Sequence, residues 1–341
     1  MKAFIIGGTG QIGRAIGAKL LADGWDVTLS SRGQRPCPTE LAALGANIVQ
    51  LDRDQPGELP GALAGGADAV IDTIAYDESH AEQLLSLESG IGQLIVISSV
   101  SVYRDEAGRT IDEAAENGFP DLPAAMTEDQ PTVAPGPETY STRKVAIERR
   151  LLDKGRRPVT ILRPCAIHGP HSNHPREWWF VKRMLDGRRA IPIILGGRSR
   201  FHTTAVANIA ELAAVALRQP AKRVLNIGDP SAPTVWEIGS IIAEAMNWGG
   251  ELIDIGDPRP ASPLGWTPWS VPAPITVSNE AATRLGYRPA TDYATAAPIA
   301  CEWLREQPTE GWEERFPVLA GYWQPMFDYD AEDALLAARL S

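Results

Sequence analysis

The stretch AFIIGGTGQIGRAIGAKL, residues 3–20, constrains the fold more than any other. An apolar run ends in Gly7, Gly10 and Gly13, and an amphipathic helical pattern follows at once. Glycine allows the chain to turn sharply there and lets its backbone approach another group without a Cβ in the way. The start of the helix offers unpaired N–H groups and the positive end of the helix dipole, which suits an anion such as a pyrophosphate. Three glycines are weak evidence alone. Between an N-terminal strand and a helix they become a dinucleotide-binding signature.

The rest of the first two-thirds keeps the same rhythm. Strand patterns fall at KAFII (2–6), DVTLS (26–30), ANIVQL (46–51), DAVID (68–72), QLIVIS (93–98), PVTILR (158–163) and RVLNI (223–227). Several are β-branched and apolar throughout, as strands buried on both faces should be. Amphipathic stretches such as QIGRAIGAKLLADG (11–24) lie between them. Strands alternating with helices predict an α/β fold with a doubly wound parallel sheet.

After about Cys165 the rhythm breaks. Residues 171–200 are rich in His, Trp and Arg, and residues 256–275 are rich in proline. The tail carries Trp303, Trp312, Phe316, Tyr322, Trp323 and Phe327, which read as core of a smaller second lobe, with a ligand or dimer surface as the alternative.

Bulk properties exclude several roles. A net charge of -11 opposes general binding to nucleic acid or acidic membranes, which requires clustered cations. No apolar run is long enough to span a bilayer. Cys37, Cys165 and Cys301 are few, odd in number and scattered, so neither a disulfide framework nor a metal site is expected. A cytoplasmic protein with a small-molecule substrate is the simplest expectation.

The second strand ends DVTLSSRGQR, with Ser31 where a dinucleotide site usually has an acid for the ribose 2′-hydroxyl. A carboxylate would repel a 2′-phosphate, whereas Ser31 with Arg32 and Arg35 would bind one. NADP(H) is therefore favoured over NAD(H). Asp52, after the third strand, is placed to contact the adenine.

Two further segments point to chemistry. The fifth strand runs into IVISSVSVY, leaving Ser98, Ser99 and Ser101 at its C-terminal end, the edge where open α/β sheets bind ligands. Later comes YSTRK, with Tyr140 and Lys144 on one face of a predicted helix. A phenol titrates near pH 10, so a tyrosine base needs a shift of about 3 units, or about 4 kcal/mol. A neighbouring ammonium pushes in that direction.

With these motifs in place, the sequence resembles the extended short-chain dehydrogenase/reductase family, also called the NAD-dependent epimerase/dehydratase family. GGTGQIG, SSVSVY, YSTRK and LRPCAIHGP carry the likeness. FHTTAVANIA, LNIG and LGYRPATDYATAAPIACEWL follow in the family's order, so the resemblance spans most of residues 1–305. It implies a Rossmann domain over 1–165 and 201–229, and a smaller C-terminal α+β substrate lobe over 166–200 and 230–341. It also implies hydride transfer at a hydroxyl-bearing carbon, with Tyr140 as general acid/base, Lys144 on the nicotinamide ribose and Ser99 polarising the substrate. The expected cofactor set is Gly7, Thr9, Gly10, Gln11, Ile12, Gly13, Ser31, Arg32, Arg35, Asp52, Thr73, Ala75, Lys144 and Pro164. The family further implies a homodimer through helices including the one that bears Tyr140.

The sequence departs from the family in several places. Residues 104–137 make a longer, acidic, Gly- and Pro-rich connection between Ser99 and Tyr140 than is usual, read as a lid or substrate-selecting element or as a passive insertion. His168 replaces the tyrosine often found in LRPCAIHGP, and Asn208 stands where the family usually has Asp. His168, His171 and His174 mimic a metal series, but Gly169-Pro170 and Pro175 break any helix that would align them, so no metal is expected. Ser101, His168, Arg198 and Arg200 are candidate substrate contacts, and Arg176 joins the two arginines as a candidate for a diphosphate. Three functions stay open: a reductase or dehydrogenase exchanging NADP(H) each turnover, an epimerase or dehydratase that keeps its nucleotide, and a non-catalytic nucleotide-sensing or RNA-associated relative.

Overall fold

The structure, a computed structural model, describes all residues except 35–36, 258–261, 323 and 341, and the side chains of 88, 339 and 340 are not described. The chain divides into two compact units. The first comprises Met1–Cys165, Val206–Gly228 and Val277–Ala290; the second comprises Ala166–Ala205, Asp229–Thr276 and Thr291–Ser341. Residues 277–290 therefore sit with the first unit, although the sequence reading placed them in the lobe. Asn208 is one fastening: fully buried, it accepts the Ala290 N–H at 2.8 Å.

In chain order the strands are β1 (Lys2–Ile6), β2 (Asp26–Ser31), β3 (Asn47–Gln50), β4 (Ala67–Asp72), β5 (Ile91–Ile97), β6 (Val159–Pro164), β7 (Ala166–His168), β8 (Ala190–Ile194), β9 (Thr203–Ala205), β10 (Arg223–Ile227) and β11 (Glu251–Gly256). The first unit holds a seven-stranded parallel sheet in the order β10-β6-β5-β4-β1-β2-β3. All seven strands coincide with the patterns read from the sequence. The order reverses at β1, which lies between β2 and β4, and such a switch point opens a crevice at the strands' C-terminal ends. On one sheet face Phe4, Ile6, Val70, Leu94, Val96 and Ile161 pack against Ala81 and Leu84 of helix Glu78–Ser86 and Ile147 and Leu151 of helix Tyr140–Lys154. Ile5, Val27 and Leu29 are equally buried. Burial on both faces explains why these strands are apolar throughout rather than alternating.

The long connection 104–137 is built into the first unit. Met126 is fully buried and its carbonyl accepts from the Asn226 amide at 3.0 Å and the Ser278 N–H at 2.9 Å. Glu128 accepts the Asn226 N–H at 2.7 Å.

The second unit contains two parallel strand pairs, β8 with β11 and β7 with β9. Its core gathers Trp178, Trp179 and Phe180 of helix Trp178–Leu185 with Trp269, Tyr293, Trp312 and Phe316. Trp303 and Phe327 pack against that core, so these tail aromatics are packing residues. Tyr322 remains 37% exposed, and Trp323 lies outside the described residues.

Candidate active site

The glycine loop and the β4 turn fit so closely that side chains would not. Gly7 has a left-handed backbone (φ +77°), and a Cβ there would lie 2.6 Å from Thr73 Oγ1 and from Ile74 Cγ2. At Gly13 a Cβ would meet the Gly7 carbonyl oxygen at 2.5 Å and Gly8 Cα at 2.6 Å. Thr73 fastens the two segments by donating its hydroxyl to the Ile6 carbonyl at 3.0 Å. Helix Gln11–Ala22 starts at Gly10 with no side-chain cap and no acidic residue in its first turn. A helix start without a side-chain cap or an acidic residue has the chemistry that suits an anion. Thr9 and Gly13 are buried in this loop, and Gln11 and Ile12 are half-buried.

At the end of β2, Ser31 is half-buried and its hydroxyl accepts the Gly33 N–H at 3.3 Å, while Arg32 is exposed. No carboxylate occupies the last two positions of this strand: Ser30 is turned inward onto the Ile5 carbonyl. Arg35 lies outside the described residues. Asp52 closes its own turn by accepting the Asp54 N–H at 3.2 Å, and Pro164 is buried at the end of β6 beside Ile227.

Helix Tyr140–Lys154 begins with a reciprocal cap. Thr139 Oγ1 accepts the Thr142 N–H at 3.2 Å, and Thr142 Oγ1 accepts the Thr139 N–H at 2.9 Å. This cap fixes the turn that carries Tyr140, so Thr139→Ala should cost about 1 kcal/mol in urea unfolding, and no change would show the cap idle.

Ser99 lies beside Tyr140, close enough for its hydroxyl to draw the phenol's titration down. Ser99 Oγ is itself held by the Ser101 N–H at 3.1 Å, and Ser101 Oγ accepts from Ser141 Oγ at 2.8 Å. Lys144 is buried, with Nζ 5.5 Å from the centre of the Tyr140 ring. It donates to the Ala75 carbonyl at 2.6 Å and the Ile97 carbonyl at 2.9 Å. An ammonium has three N–H bonds, so one remains for a further acceptor. The structure therefore brings Ser99, Ser101, Tyr140, Lys144, Thr73 and Ala75 together at the C-terminal ends of β4 and β5, with the glycine loop following β1.

Burial dominates the electrostatics. It pulls Lys144 down to about 8, with Asp72 and Glu148 opposing and Arg53 assisting. Tyr140 is 41% exposed, yet its hydroxyl lies deep among protein atoms. That burial and the charge of Asp112 push the phenol up to about 12, against the pull of the Ser99 hydroxyl. Asp112, which sequence reasoning missed, belongs to the long connection and accepts the Ser141 N–H at 2.8 Å. Asp112→Asn should bring Tyr140 ionisation to lower pH, read from tyrosinate absorbance with Tyr140→Phe as the assignment control. An unchanged titration would show that Asp112 has no hold on the phenol.

The other expected substrate residues belong to the second unit. His168 is buried in its interior, where Nε2 donates to Asp229 at 2.7 Å and the ring packs on Tyr293. Arg198 is exposed, and Arg200 is half-exposed, donating to the Ala232 carbonyl and lying 3.7 Å from Glu237. Arg176 lies over the Phe201 ring, 5.7 Å from its centre. His171 rests on Trp303 and His174 on Tyr322, so the three histidines have separate partners. Among the described residues no group of three His, Cys, Asp or Glu could hold a metal.

A sequence model described as the NAD dependent epimerase/dehydratase family matches residues 3–228. The chain is 30% identical over 203 residues to the chloroplast stem-loop binding protein of 41 kDa b from Arabidopsis thaliana, covering 56% of this chain and 48% of that protein. It is 27% identical over 149 residues to 2'-dehydrokanamycin reductase from Streptomyces kanamyceticus, covering 43% of this chain and 37% of that protein. The chain thus spans half or less of the length of either curated relative. Among solved structures, Thermus thermophilus UDP-glucose 4-epimerase in complex with NAD superposes with a TM-score of 0.66 at 18% identity, covering 90% of this chain and 100% of that one. Bacillus cereus UDP-glucuronic acid 4-epimerase in complex with UDP-glucuronic acid and NAD gives 0.65 at 17% identity, covering 89% and 99%. At such identities the likeness establishes the fold.

Proposed function

Since this chain belongs to the NAD dependent epimerase/dehydratase family, we propose that it is an NADP(H)-using oxidoreductase acting on a hydroxyl- or carbonyl-bearing carbon of a small polar molecule. The observation that carries this reading is the buried Lys144 ammonium 5.5 Å from the Tyr140 ring, on a helix start that Ser141 ties to Ser101 beside Ser99.

The dinucleotide fits the glycine loop on this chain's own geometry: Cβ atoms at Gly7 and Gly13 would fill the turn, and the helix start is uncapped. Gly7, Gly10 and Gly13 would let the backbone approach the pyrophosphate, Lys144 would hold the nicotinamide ribose, and Ser31 with Arg32 would meet a 2′-phosphate. When bound, the cofactor supplies or accepts the hydride. In reduction Tyr140 gives its phenolic proton to the substrate oxygen, and Ser99 donates a hydrogen bond to that same oxygen as charge builds on it. A phenol held near 12 stays protonated at neutral pH, which matches the reductive direction. In oxidation it must first lose that proton, against the burial and the Asp112 charge that hold it in place.

A second reading has a specific support. The superposed structures bear the names of UDP-sugar 4-epimerases, and an epimerase would keep its nucleotide and show no net redox. The reductase among the relatives, and a β2 end without an acid, favour exchange of NADP(H). The experiment is to denature the purified protein and identify any released nucleotide, alongside NADPH consumption with panels of aldehydes, ketones and keto-sugars. Little bound nucleotide and substrate-dependent NADPH loss is expected. Stoichiometric bound nucleotide with no NADPH loss would turn the assignment to an epimerase. Salt-sensitive binding of stem-loop RNA without any turnover would turn it to a binding protein, the property named for the Arabidopsis relative.

A further inference from the structure

Lys144 belongs to a buried set of charges with Asp72 and Arg53, two residues that lie outside GGTGQIG, SSVSVY, YSTRK and LRPCAIHGP. Asp72, the last residue of β4, is fully buried, and Arg53 beside it is 5% exposed. Arg53 Nη1 donates to Asp72 Oδ2 at 2.6 Å, and Arg53 Nε donates to Gln83 of helix Glu78–Ser86 at 3.0 Å. The other carboxylate oxygen, Asp72 Oδ1, accepts the Ile74 N–H at 3.0 Å. This clamps the start of the turn that lies against Gly7 through Thr73 and Ile74, and whose Ala75 carbonyl takes the Lys144 ammonium.

A buried ion pair is seldom the most stable filling for a core, because desolvation offsets the attraction. This one therefore invites a reason beyond packing. We infer that the Arg53–Asp72 pair is a positioning element for the cofactor site, its carboxylate shaping the 73–75 turn and supporting the charged state of Lys144. The inference rests on the reading that Lys144 holds the nicotinamide ribose. Among the described residues the charges of Asp72, Glu148 and Arg53 act on Lys144, and the Tyr140 ring lies 5.5 Å from its ammonium. Glu148 is already engaged by Arg163, which leaves Asp72 as the carboxylate whose partner can be exchanged without touching that helix.

The chain has only six lysines, so selective 13Cε labelling resolves them, with Lys144→Met as the assignment control. Asp72→Asn keeps an acceptor for the Ile74 N–H but removes the charge. Loss of a close opposite charge should lower Lys144 titration by roughly 1 to 3 pH units. From a starting point of about 8, a fall of one unit cuts the protonated fraction at pH 8 about fivefold, so NADPH affinity should fall by about that factor or more there and recover at pH 6. Arg53→Gln should move the titration the opposite way, and it decides the matter if Asp72→Asn does not fold. The double variant, which removes both charges, should return towards wild type.

A purely structural pair would weaken binding equally at pH 6 and pH 8 and leave the Lys144 titration in place. That result, or shifts of the same sign in both single variants, overturns the inference. If instead Lys144→Met binds NADPH like wild type while the titrations shift as stated, the pair tunes Lys144 and it is the assignment of Lys144 to the cofactor that fails.

Discussion

Replacing Tyr140 with phenylalanine should cut turnover by roughly 10²- to 10⁴-fold while leaving NADPH affinity within a few-fold of wild type. The ring that faces Lys144 at 5.5 Å and Tyr76 at 6.4 Å is retained, so the helix start and the ammonium have no reason to move. Only the hydroxyl beside Ser99 is lost, and with it the proton for the substrate oxygen. Ser99→Ala removes one hydrogen bond to that oxygen and should cost about 10²- to 10³-fold, the range seen when a single oxyanion donor is deleted. Steady-state rates with the best substrate from the NADPH panel, set beside a binding titration, separate chemistry from cofactor loss. Near-normal turnover in Tyr140→Phe would remove the phenol from the mechanism.

Gly13→Ala should do the reverse, weakening cofactor affinity before it touches the catalytic groups. The added Cβ would sit 2.5 Å from the Gly7 carbonyl oxygen and 2.6 Å from Gly8 Cα, both backbone atoms that no side-chain rotation can clear. The loop or the helix start must retreat. Overpacking of this kind costs about 1–3 kcal/mol, which, drawn from binding, is a loss of roughly 5- to 150-fold. Helix N–H groups displaced from the pyrophosphate add to that loss. Fluorescence titration with NADPH measures it, and thermal unfolding without nucleotide shows how much of the cost falls on the fold. Wild-type affinity in Gly13→Ala would mean that the phosphates bind elsewhere.

The fold of the first unit was legible because its strands are buried on both faces. Runs such as AFII and AVI stay apolar throughout, and each is punctuated by glycine or a polar residue. The second unit hid its strands for physical reasons. β7 and β9 are three residues each, too short for any period to show, and β8 carries Pro192. The segment 277–290 gave no local sign of its place. Its attachment to the first unit depends on distant partners, Asn279 with Gly228 and Ala290 with Asn208.

The candidate site was legible as residue types at characteristic positions, and much less so as an electrostatic environment. Ser99, Tyr140 and Lys144 could be named because the family resemblance singles them out, and because a strand end and a helix face put such residue types at one edge of the sheet. Asp112 and Arg53 could not. Asp112 reaches the helix from a connection without periodic pattern, and Arg53 meets a carboxylate 19 residues further along the chain. The sequence offered one clue in DAVID: a fully buried strand that ends in a carboxylate requires a cation or several N–H donors nearby. His168 shows the opposite case. Its place in LRPCAIHGP pointed to a ligand contact, whereas the imidazole is engaged by a buried aspartate that also takes the Thr203 hydroxyl and the Ala205 N–H.

The central claim is that the glycine loop and Lys144 hold a nicotinamide dinucleotide carrying a 2′-phosphate. Its most direct test is a pair of equilibrium fluorescence titrations, NADPH and NADH, on protein stripped of any co-purified nucleotide. One saturable site per chain is expected, with NADPH bound roughly tenfold or more tightly than NADH, the increment of a charge-assisted hydrogen bond to the extra phosphate. Equal affinities would remove the role given to Ser31 and Arg32, and no saturable binding of either nucleotide would contradict the account as a whole.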